Sequence, residues 1–131
     1  MNPEKEEHVQ VMALIYGDAS RWDAFSADER EAAYAQYRAF SDEAGKAGVM
    51  VGGAELASTR DGTTVRVRDG ESLVTDGPYA EVKEALGGYF VFECKSMDEA
   101  VEYAAKIPGA QHGAIEVRPI YVDPAAEGAG S

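Results

Sequence analysis

Strands near both ends of the chain, two capped helices between them and a tight hairpin at the middle predict an α+β domain built on an antiparallel sheet. Three features support this. Two Ser-x-x-Glu capping boxes, "SADE" at 26–29 and "SMDE" at 96–99, each open an apolar helical repeat. An apolar strand pattern lies on either side of each repeat. Between the two units, Asp69-Gly70 splits an alternating stretch, and an Asp-Gly pair supplies the positive φ angles of a two-residue turn.

The first strand is "VQVMALIY", 9–16, which is short, β-branched in places and apolar on both alternating faces. Residues 17–25 read as a loop anchored by Trp22. From the cap Ser26, positions Ala33, Tyr37, Phe40, Ala44 and Ala47 recur at helical spacing, with Tyr34, Tyr37 and Phe40 read as core, until Gly48 closes the helix. Residues 49–56 form a second strand, in which Gly52-Gly53 signals a bulge or a close backbone approach. The hairpin spans 63–75 and runs into "VTDGPYAEVKEALGGYF". There Gly77 permits an unusual φ, Pro78 fixes the next one, and Glu81, Lys83 and Glu84 are expected on a short helical turn stopped by Gly87. A strand over 88–94 follows. The second helix is expected to run to about Ile107, with Ala100, Val101, Ala104 and Ala105 on its apolar side. A last strand, 113–122, precedes the tail "DPAAEGAGS". The order is that of a ferredoxin-like split βαβ sheet with an extra hairpin and both helices on one face. Residues 9–122 form the domain, 1–8 a polar extension and 123–131 a flexible tail.

A chain of 131 residues with 45% apolar content is one ordinary globular domain. The single cysteine, Cys94, rules out an internal disulfide, and with no leader-like N-terminus or apolar run of roughly 20 residues the expected location is cytoplasmic. A net charge of −12 argues against nucleic acid and anionic membranes as partners. His8 and His112 share no ligand spacing with each other or with Cys94, so neither a metal nor a cofactor is expected, and His112 reads as a half-exposed loop residue.

Two helices cover one face of a sheet. The first strand nonetheless turns Val9, Val11, Ala13 and Ile15 to one side and Met12, Leu14 and Tyr16 to the other, and the fifth opposes Phe90, Phe92 and Cys94 to Tyr89 and Val91. The second face would be a large apolar patch in water, and the same face of a second copy is the economical cover. A homodimer joined through the helix-free face is therefore expected. Glu116 and Arg118 alternate against Ile115 and Val117, which aims the charged pair into the inter-sheet space, either as an interface ion pair or as a ligand site. Asp76 reads either as a turn cap or as a rigid carboxylate at the mouth of the same cleft, beside Pro78, with Tyr16 and Tyr89 lining it.

"LIYGD", "TTVRVRDG", "VTDGPYAEVKEALGGYF" and "GAIEVRPI" together closely resemble the YCII-related proteins, in particular their DGPF subgroup, over about 9–122. Tyr79 stands where the subgroup's name carries Phe. The resemblance implies a dimeric α+β barrel and a context beside extracytoplasmic-function sigma factors. It also implies a His–Asp pair in the wider family, but Tyr37 and Lys46 stand at those places here, so that chemistry does not carry over. Two functions follow. One is a non-catalytic dimer that binds an unidentified small molecule near the Asp-Gly-Pro loop. The other is an isomerase- or lyase-type enzyme using Asp76 for proton transfer and Arg118 to hold the substrate.

Overall fold

In the computed structural model, which describes residues 8–125, the strands are β1 (Val9–Asp18), β2 (Met50–Glu55), β3 (Thr63–Arg68), β4 (Glu71–Asp76), β5 (Glu84–Cys94) and β6 (Ala114–Pro119). The helices are α1 (Ala19–Asp23), α2 (Ala27–Lys46) and α3 (Met97–Ala104), with 3-10 turns at Thr59–Asp61 and Pro108–Gln111. Residues 1–7 of the expected extension and 126–131 of the expected tail lie outside the described residues.

The main sheet has the antiparallel order β2-β5-β1-β6, so each helix connects two strands that flank a strand of the other half. Phe40 and Ala44 of α2 and Ala100 and Ala104 of α3 join one core with Val11, Ala13, Phe92 and Cys94. Both longer helices therefore lie on the same face of the sheet. β3 and β4 pair only with each other, as a separate two-stranded sheet. Its turn is the one expected, with φ +52° at Asp69 and +78° at Gly70.

The first capping box forms in full and the second in half, since Glu99 takes the Lys95 N–H instead of that of Ser96. Ser26 accepts from the Glu29 N–H while Glu29 takes the Ser26 N–H, and Ser96 accepts from the Glu99 N–H. Gly48 ends α2 with φ +75°. The Gly52-Gly53 signal marks both features it suggested. A bulge interrupts the β2–β5 register between Met50 and Gly52. A Cβ on Gly53 would stand 2.7 Å from Phe90 Cδ1 and 2.7 Å from the Tyr89 carbonyl oxygen.

Four local expectations are corrected. The expected 17–25 loop is instead the end of β1 followed by α1, because Asp18 accepts from both the Ser20 N–H (2.9 Å) and the Ser20 hydroxyl (2.6 Å) and so nucleates a turn. These bonds hold the Asp18 carboxyl below its usual range. Residues 81–83 form no helical turn, and β5 starts at Glu84, because β1 runs on to Asp18 and pairs with Glu84 and Ala85 past a bulge at Ile15/Tyr16. α3 ends at Ala104, and Val101 is 54% exposed. Its inward face is Met97, Ala100, Tyr103 and Ala104, the phase that lets the Tyr103 ring meet Phe92 at 6.3 Å. The last strand ends at Pro119, two residues after Val117, the last side chain of β6 packed on the core.

Cys94 is 1% exposed, and burial together with the nearby Glu99 pushes its thiol up to about 11. In the folded protein it should react with a disulfide reagent at neutral pH about a hundredfold more slowly than in urea-unfolded protein; equal rates would contradict its burial. Gly53→Ala should lower unfolding free energy by about 1–3 kcal/mol, measured by urea titration, since backbone and a core ring both block the new methyl.

Candidate functional site

Glu116 and Arg118 lie on β6 opposite Leu14 and Met12 of β1. Ile115 and Val117 between them pack on the core, so strand alternation turns the charged pair to the face without helices. Arg118 Nε stands 3.1 Å from Glu116 Oε2, and the Tyr16 hydroxyl lies 3.5 Å from Oε1. In the next strand Tyr89 pairs with Leu14 and Val91 with Met12, which puts Tyr89 in the cross-strand row of Glu116 and Val91 in that of Arg118. Met12, Leu14, Tyr16, Tyr89 and Val91 are half-buried in the single chain. Four of the expected site residues, Tyr16, Tyr89, Glu116 and Arg118, thus share one surface.

With side chains 65% and 47% exposed, the Arg118–Glu116 pair is a solvated ion pair, and such pairs contribute about 0–1 kcal/mol.

Asp76 and Pro78 lie elsewhere, at the end of the two-stranded sheet, and both are exposed. The Gly77 N–H donates to the Gly62 carbonyl at 2.7 Å, the Thr64 hydroxyl donates to the Gly77 carbonyl at 2.8 Å, and Gly77 has φ +94°. Among the described residues the Asp76 carboxylate accepts no hydrogen bond. Thr64 and Gly62 therefore fix this turn, with no cap from Asp76. No hydrogen bond or ion pair among the described residues links Asp76 or Pro78 to the Glu116–Arg118 cluster.

On the helix-bearing side, an open cleft of about 1710 Å³ lies between α1, α2, β2 and the segment 108–113, where His112 also lies, exposed. Trp22 meets Tyr34 edge-on at 5.4 Å between ring centres, and the Arg30 guanidinium lies over Trp22 at 5.5 Å. The Tyr34 hydroxyl stands 3.2 Å from each oxygen of Glu55. Desolvation, then the Glu55 charge, raises the Tyr34 hydroxyl above the usual phenol range. Deeper in, the Tyr37 oxygen accepts the Gly109 N–H at 3.1 Å, and burial likewise pushes its ionisation above the usual phenol range. Of the three aromatic positions expected as core, only Phe40 is buried; Tyr34 is 38% exposed and Tyr37 half-buried. Two hydroxyl-bearing rings three apart on one helix, where a core stripe ordinarily has Leu or Ile, are the sequence signal for this cleft.

The model of the YCII-related domain matches residues 9–122. An uncharacterized protein of Rhizobium meliloti (strain 1021), R00369, is 37% identical over 109 residues, covering 82% of this chain and 88% of the relative.

Because Asp76 caps nothing, Asp76→Asn should leave unfolding free energy within about 0.5 kcal/mol of the parent in urea titration. A loss near the roughly 1 kcal/mol of a removed cap would restore the capping role.

Proposed function

The chain belongs to the YCII-related family over residues 9–122, and from that premise we propose that it acts as a cytoplasmic homodimer of the DGPF type that holds a small molecule between its two sheets. The observation that carries this reading is the Tyr16–Glu116–Arg118 cluster, set among half-buried Met12, Leu14, Tyr89 and Val91 on the face without helices. The sheet order and the two helices on one face fit a ferredoxin-like unit, and two such units joined by their open faces make a dimeric α+β barrel.

Enclosure changes the energetics of the cluster. Between two sheets the pair loses its water, and the remaining N–H groups of Arg118 and the second oxygen of Glu116 then need partners. A ligand with a carboxylate or carbonyl for Arg118 and a hydroxyl or N–H for Glu116 supplies them, with Tyr16 and Tyr89 as walls. The accessory role in sigma-factor-linked regulation implied by the resemblance fits a ligand-binding component better than a DNA-binding one, given the net charge of −12. Proton transfer by Asp76 with Arg118 is the weaker reading, since the two groups stand on different sheets.

In analytical ultracentrifugation at micromolar concentration the parent protein should sediment as a dimer. Val91→Glu, which puts a charge at the centre of the open face, should sediment as a folded monomer. A monomeric parent would overturn the proposal.

A further inference from the structure

We propose that the cleft on the helix side is a separate small-molecule site that takes a flat aromatic amine bearing a phenol or carbonyl oxygen. Three unused bonding capacities define that chemistry. The Tyr37 oxygen already receives the Gly109 N–H, and its own proton has no acceptor among the described residues. Burial keeps the phenol protonated, so it presents a donor to an oxygen of the ligand. Glu55 has one edge of its carboxylate occupied by Tyr34, and a carboxylate offers about four lone-pair sites, which leaves room for a charged N–H donor. The Trp22 ring, which also lines the cleft and is held by Tyr34, Phe25 and Arg30, supplies an aromatic wall for the ligand's ring.

The cleft's charge selects the sign of the ligand. Five carboxylates and three guanidinium groups line it, in a protein whose net charge is −12, so the local field favours a cation over an anion. The cleft is open along its length, so a small molecule reaches Glu55 and Tyr37 from solvent. Gly109 belongs to the same design: a Cβ there would stand 2.7 Å from the Tyr37 hydroxyl and push it off the backbone N–H that holds it. Packing alone explains neither the exposed Tyr34–Glu55 pair nor the free phenol proton.

The test uses the full chain with 4-hydroxybenzylamine and tyramine, which place the amine at different distances from the phenol oxygen. Binding is followed by saturation-transfer NMR and by the fluorescence of Trp22, the only tryptophan in the sequence. At least one of the two amines should bind and change Trp22 emission. Glu55→Gln and Tyr37→Phe should each weaken it about fivefold or more, as expected for a lost hydrogen bond or charge-assisted contact. Phenethylamine, which lacks the oxygen, should be insensitive to Tyr37→Phe yet sensitive to Glu55→Gln. Should Tyr37→Phe fail to fold, exposed Glu55 decides the matter alone. No binding of either amine, or binding unchanged by Glu55→Gln, overturns the proposal. It is tested apart from the dimer reading, since Val91 does not line this cleft and Val91→Glu should leave this binding intact.

Discussion

β1 is apolar on both faces and paired along both edges, and the rest of the molecule arranges itself around that constraint. β5 and β6 occupy its edges, so its backbone polar groups are satisfied within the sheet. Val11 and Ala13 are fully buried under α2 and α3. The opposite side chains, Met12, Leu14 and Tyr16, have only their neighbours on β5 and β6, which shield them in part. A single layer of helices cannot cover both sides of such a strand, and the second face is where the proposed partner would sit. The same strand also borders both proposed sites. Tyr16 reaches Glu116 on the open face, while Ile15 faces the other way, against Gly109 at the base of the Tyr37 hydroxyl.

Much of this arrangement was legible in the sequence, and the legible parts are those governed by local chemistry. The capping box at Ser26, the Ser96 cap and the Asp69-Gly70 turn are decided within four residues, and they appear as read, although Glu99 takes the Lys95 N–H rather than that of Ser96. Gly52-Gly53 was legible because only a missing side chain lets β2 approach Phe90 so closely. The misread stretches depend on distant partners. Residues 81–84 have a charged composition suited to a helical turn, but Glu84 and Ala85 are drawn into the sheet by the far end of β1. α3 is short and rich in alanine, so its sequence left the phase open; Tyr103 and Met97 settle it by packing against the core and leave Val101 in water.

The candidate site divides in the same way. Alternation on β6 is enough to place Glu116 and Arg118 on the open face, because a period of two allows only one alternative. Which residues would join them was less legible. Tyr16 and Tyr89 do, through the pairing of β1 with its neighbours, whereas Asp76 and Pro78 stand on a hairpin whose position no local pattern encodes. The aromatic cleft was the least legible part. Tyr34 and Tyr37 have the spacing of a core stripe, and only the course of α1 and β2 reveals that Trp22 and Glu55 meet them at a surface.

The central claim is that the native state is completed by a second copy on the open face of the sheet. If folding and association are linked, mass action makes the stability depend on protein concentration. Urea unfolding followed over a hundredfold range of protein concentration tests this directly. The account predicts a midpoint that climbs steadily with concentration; a midpoint that stays fixed across the range would mean that the lone subunit is stable with that face in water.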